Sequence, residues 1–74
     1  MSWNYRVLEK TYPQFDNEKT FGIVEAYYDD ENDLEDVTGR TEFIEVTADT
    51  LEDLRWVLEE MLKALDKEAL KEEV

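Results

Sequence analysis

Residues 20–28 (TFGIVEAYY) read as a β-strand that is apolar on both faces, and this constrains the fold more than any other segment. Its aromatic and β-branched side chains suit a pleated surface. Side chains alternate along a strand, so Phe21, Ile23 and Tyr27 share one side while Val24, Ala26 and Tyr28 share the other. Each side needs a cover, and the chain offers one clear candidate. Thr50 opens a helix signature in which Asp53 stands where a capping box carries Glu. Leu51, Leu54, Leu58, Met61, Leu62 and Leu65 then recur at helical spacing and predict a single buried stripe. Glu52 and Asp53 fall in the first turn, where negative charge complements the helix dipole. One helix covers one sheet face. The sequence therefore predicts a second face left open, with Trp3 and Tyr5 adding to whichever face they share.

The other segments complete an α+β pattern. Residues 3–10 (WNYRVLEK) alternate in strand fashion, and residues 11–19 (TYPQFDNEK) hold the only proline and predict a loop. Residues 29–33 are turn material, with a hairpin returning through residues 34–38. Gly39 and Arg40 are then expected to bend the chain into a further short strand at residues 42–47 (EFIEVT). Residues 67–74 read either as a helix extension or as a loose tail. The predicted fold is a three- to four-stranded antiparallel sheet with one C-terminal amphipathic helix packed on one face, β-β-β(-β)-α. At 74 residues the chain is one domain, near the lower limit for a single core.

Charge bounds the partners. Twenty-one acidic residues stand against eight basic ones, giving a formal charge of −13 with no histidine and no cysteine. Phosphate binding requires cations that displace counterions, so direct contact with nucleic acid or an anionic membrane is not expected. A basic protein surface is the expected partner, including one that itself holds nucleic acid. The imbalance is concentrated: residues 29–49 carry nine acids and one base. The opening residues lack a charged-then-apolar leader pattern, and no apolar run approaches the roughly 20 residues of a membrane span. A cytoplasmic location is the expectation.

No constellation predicts catalysis or a cofactor. Histidine and cysteine chemistry is absent, Ser2 is terminal, and two glycines (Gly22 and Gly39) make no phosphate loop. Paired carboxylates are plentiful, but acid/base work also needs a substrate cleft. Asp29, Glu31 and Asp33 match three positions of an EF-hand loop. Leu34 then stands where glycine is required and Arg40 where a bidentate Glu is required. What remains is a solvated acidic turn, or a weak divalent site. Trp56 is the odd residue of the helix, because a stripe centred on Leu54, Leu58 and Leu65 puts it on the far side among Glu52, Asp53, Glu59, Glu60 and Lys63. Two readings stand: an interface anchor, since Trp is enriched in binding hot spots, or a cover for the core beneath the tail or a loop.

The Trp-Asn-Tyr-Arg-Val opening, the strand end Gly22-Ile23-x-Glu25-x-Tyr27-Tyr28-Asp29 and the helix Leu51-Glu52-x-Leu54 … Met61-Leu62-x-Ala64-Leu65 resemble a family of short, acidic bacterial and phage proteins of uncharacterised function. Where that family carries an aromatic-Thr pair and a proline-containing approach to the helix, this chain has Val37-Thr38 and residues 42–47. The resemblance implies the fold and a bacterial or phage origin, and no activity.

Two functions follow as expectations. One is a non-enzymatic binding inhibitor whose carboxylates stand where a nucleic acid would place phosphates; some anti-CRISPR and anti-restriction proteins are similar in charge and size. The expected partner-binding residues are Asp29, Asp30, Glu31, Asp33, Glu35 and Asp36 of the acidic turn with Glu52, Glu59 and Glu60 of the helix, which would carry the mimicry, and Trp56, Tyr27 and Tyr28, whose aromatic contacts would carry the alternative. The other is a cytoplasmic bacterial interaction protein, homodimeric through an exposed aromatic sheet face, whose acidity serves solubility. In both, crowded carboxylates are expected to have raised pKa values through like-charge repulsion.

Overall fold

The computed structural model describes residues 2–29 and 36–74. Strand β1 (Ser2–Tyr12) is followed by a single 3-10 turn (Pro13–Phe15) and strand β2 (Glu18–Tyr28). Strand β3 (Val37–Arg40), helix α1 (Leu51–Ala64) and strand β4 (Leu70–Glu73) complete the order. The class is α+β, with the four strands arranged β3-β2-β1-β4.

The β1–β2 hairpin is longer than predicted, pairing from Ser2 opposite Tyr28 to Tyr12 opposite Glu18. A short connection makes this feasible. Pro13 begins the 3-10 turn, and Asp16 and Asn17 then take left-handed φ values of 61° and 60°. Asp and Asn tolerate that region better than most residues. The Asn17 amide closes the turn on the Tyr12 carbonyl at 3.1 Å.

Several expectations about the sheet need correction. Residues 67–74 are neither helix extension nor loose tail: β4 pairs parallel to β1, with Leu8 opposite Leu70 and Thr11 opposite Glu73. The sheet is thus mixed rather than antiparallel. The sequence LKEE has little strand preference of its own; the open edge of β1 supplies the ladder, and α1 supplies the long crossover that a parallel pair needs. Residues 42–47 form no regular strand. They follow β2 irregularly, through amide bonds from Thr41 to the Glu25 carbonyl and from Ile44 to the Ile23 carbonyl, each 2.9 Å. Between them the Thr41 hydroxyl accepts the Glu25 amide at 3.0 Å, taking a rung that backbone would otherwise fill. Gly39 and Arg40 lie inside β3 rather than at a bend, and the irregularity falls at Tyr27/Tyr28.

The face expected to lie open is the most buried part of the molecule. Leu8, Val24, Ala26 and Tyr28 have no exposed surface, and all four point to one side of the sheet. The sheet curls about this side. Arg40 on edge strand β3 forms a bidentate ion pair with Glu72 on the opposite edge strand β4, at 2.5 and 2.7 Å. Two strands lie between them, a span of about 14 Å in a flat sheet. Phe43 closes the same side over Gly22, beneath the Lys10 ammonium 5.1 Å from its ring. Arg6 is buried here as well, donating to the Tyr28 hydroxyl at 3.1 Å and the Glu68 carbonyl at 2.5 Å. Tyr28 in turn donates to Asn4 at 2.7 Å.

Helix α1 packs along β1 on the other side of the sheet. It begins where the Thr50 signature places it, with the Thr50 hydroxyl accepting the Asp53 amide at 3.0 Å. No helix among the described residues is long and apolar enough to cross a membrane.

Candidate protein-binding surfaces

The helix buries a different arc from the predicted one. Met61 and Ala64 are buried and Leu54 and Val57 half-buried. Leu51, Leu58, Leu62 and Leu65 keep 85, 49, 64 and 63% of their surface. At about 100° per residue these four leucines form a row roughly a quarter turn from the buried arc. The apolar arc is wider than the contact α1 makes, because the helix rests on β1 of a curled sheet. Small Ala64 and flexible Met61 fill that contact, and the bulkier leucines stay beside it.

The leucine row runs into exposed sheet surface. Leu65 shares a shallow recess with Val7, Phe21 and Ile23, and Phe21 is itself exposed. Glu52, Glu59 and Asp66 each follow a leucine of the row by one position and so border it. All three are exposed, and among the described residues no cation stands within 4.0 Å of them. The surface is therefore an apolar strip with an acidic margin.

Trp56 occupies the other flank of the helix. It is half-exposed and lines a cleft of about 290 Å³ with Trp3, Asn4 and Tyr5 of β1 and with Glu60 and Lys67. Trp3 and Tyr5 meet edge to face, centroids 5.2 Å apart at 88°. Glu60 accepts from Lys63 at 2.9 Å. Burial first, and then the negative charge of Glu25 and Glu60, pushes the Tyr5 hydroxyl above the usual tyrosine value. The Tyr27 hydroxyl donates to Glu25 at 3.1 Å and is raised mainly by that bond.

The twelve residues singled out from sequence do not form one surface. Trp56 and Glu60 meet in the cleft, while Glu52 and Glu59 border the leucine row. Asp29 and Asp36 are exposed; Asp30, Glu31, Asp33 and Glu35 lie outside the described residues, as does most of the weak cation site considered there. Tyr27 is half-buried. Tyr28 is a correction: it is fully buried and bonded to Asn4 and Arg6, so its side chain belongs to the core and offers nothing to a partner. Sequence reasoning missed the leucine row and Phe21 as surface. The available signal was the width of the apolar arc, which exceeds what one strand can cover.

Among the described residues no three carboxylates are placed to hold a metal ion. Comparison with family models, with curated proteins and with solved structures gave no match.

Proposed function

We propose that this chain is a non-enzymatic, cytoplasmic, acidic protein-binding module whose partner presents a basic surface of the kind that holds nucleic acid. The observation that carries the reading is the exposed row Leu51, Leu58, Leu62 and Leu65 beside Phe21, edged by Glu52, Glu59 and Asp66. Contiguous apolar surface of this kind draws a partner through burial. The acidic margin selects a basic one and steers its approach. A nuclease or effector complex occupied in this way loses access to its nucleic acid, which is how an anti-CRISPR-like or anti-restriction-like inhibitor would act.

A homodimer is the second reading, because the leucine row complements a copy of itself under a two-fold axis. It is the weaker one: pairing two helices along this row brings each acidic margin close to its counterpart, with −13 on both chains. A pull-down from bacterial cytoplasm at about 50 mM and about 500 mM salt separates the readings. The proposal expects a basic protein captured at low salt and lost at high salt, with Leu58→Asp and Leu62→Asp weakening capture. Capture that ignores salt, or a chain that sediments as a dimer and captures nothing, would overturn it.

A further inference from the structure

We propose that the cleft between β1 and α1, walled by Trp3, Tyr5 and Trp56 with Glu60, is a binding site for one arginine side chain of the partner. This deepens the reading above and rests on its basic partner, but it stands on a different surface. Three aromatic side chains from two elements converge on a recess of about 290 Å³, which has room for one long side chain. Aromatic faces attract cations through the ring quadrupole. The Trp3–Tyr5 pair is held edge to face, so the β1 wall is set before any ligand arrives. Opposite it, Trp56 and Glu60 stand four residues apart on the same helix flank and place a ring and a carboxylate side by side.

Arginine fits this wall better than lysine does. Its guanidinium is planar, weakly hydrated and able to stack on a ring while donating to a carboxylate, whereas an ammonium keeps its water. The carboxylates of Glu25 and Glu60 both act on the Tyr5 hydroxyl of this wall, adding to the effect of its burial. The carboxylate already has a competitor. Lys63 donates to Glu60 at 2.9 Å, so its ammonium is the charge an incoming guanidinium must displace, while Lys67 lines the same cleft.

The test is a titration of the full chain with the capped tripeptide Ac-Gly-Arg-Gly-NH2, read by indole NMR shifts and tryptophan fluorescence. The lysine and citrulline counterparts serve as controls. Arginine should saturate the shifts with a Kd of about 1 mM, and citrulline should bind at least about tenfold more weakly. Trp56→Leu and Glu60→Gln should each weaken arginine binding several-fold. Lys63→Ser, which frees Glu60 and leaves the aromatic wall intact, should tighten it. Equal binding of citrulline or lysine overturns the assignment, and so does a Lys63→Ser chain that melts as the parent does yet binds no more tightly. The titration needs no partner protein. Its failure removes the arginine site and leaves the salt-dependent capture standing, while failure of capture leaves the titration standing.

Discussion

Gly22 decides how the inner side of the sheet closes. A methyl group at this position would stand 2.5 Å from the Phe43 ring, closer than packed carbon atoms approach. The missing side chain lets the Phe43 ring approach β2 closely, with the Lys10 ammonium over it. Gly22→Ala should therefore destabilise the chain by about 1–2 kcal/mol, the usual cost of overpacking. Combined with Phe43→Ala it should cost less than the sum of the two single changes, because each relieves the other. Additive losses in thermal melts would show that the ring does not press on residue 22. Arg6 makes a related point about burial. Its guanidinium is held by a tyrosine hydroxyl and a main-chain carbonyl rather than by a carboxylate, and bonds from a charged donor offset part of its desolvation.

At the scale of the element, α1 shows how an amphipathic pattern can be correct while its centre is displaced. Six apolar residues from Leu51 to Leu65 define the helix and its start, but a stripe that wide does not say which part meets the sheet. Contact with β1 takes the Val57–Met61–Ala64 side. Two substitutions separate the arcs. Met61→Ala should cost about 2–3 kcal/mol, as truncation of a buried side chain does. Leu58→Gln should stay within about 0.5 kcal/mol, as exposed positions do. Equal losses in denaturant unfolding would return Leu58 to the core and remove the leucine row as a binding surface. The same displacement explains Trp56, which flanks the sheet and walls a cleft instead of pointing away from it.

For the whole molecule, the Arg40–Glu72 pair is the contact that joins the two ends of the sheet. Glu72 is held below the usual carboxylate range chiefly by its bonds from Arg40, and Arg40 is raised in turn. Glu42 is lowered too, first by Lys10 and then by Arg40. The lowering of Glu72 and Glu42 runs opposite to the rise expected from charge crowding, because each accepts hydrogen bonds from a cation. The sign of these shifts sets the pH response. A carboxylate lowered in the folded state contributes its full stabilisation above its unfolded pKa, and loses it as pH falls through the folded value. The melting temperature should therefore drop between about pH 5 and about pH 2, and Arg40→Met should flatten that part of the profile. An unchanged acid limb in the variant would show that the edge-to-edge pair does not hold the sheet.

Local chemistry was enough to establish the β1–β2 pair, the Thr50 cap, the helix and the acidic excess, since propensity, capping and charge act between near neighbours in the chain. The two-sided strand at 20–28 correctly demanded two covers. Only the tertiary structure decided what they are. The curl of the sheet, which brings Arg40 against Glu72 and lays Phe43 on Gly22, covers the side that holds Val24, Ala26 and Tyr28. β4 has too little strand character to announce itself and exists because β1 offers an open edge. The width of the apolar arc signalled surplus leucines, but which of them stay exposed, and the Trp3–Tyr5–Trp56 cleft, were decided only by the tertiary structure. Both depend on the rotation of α1 about its own axis, which is set by how closely Met61 and Ala64 let the helix approach β1.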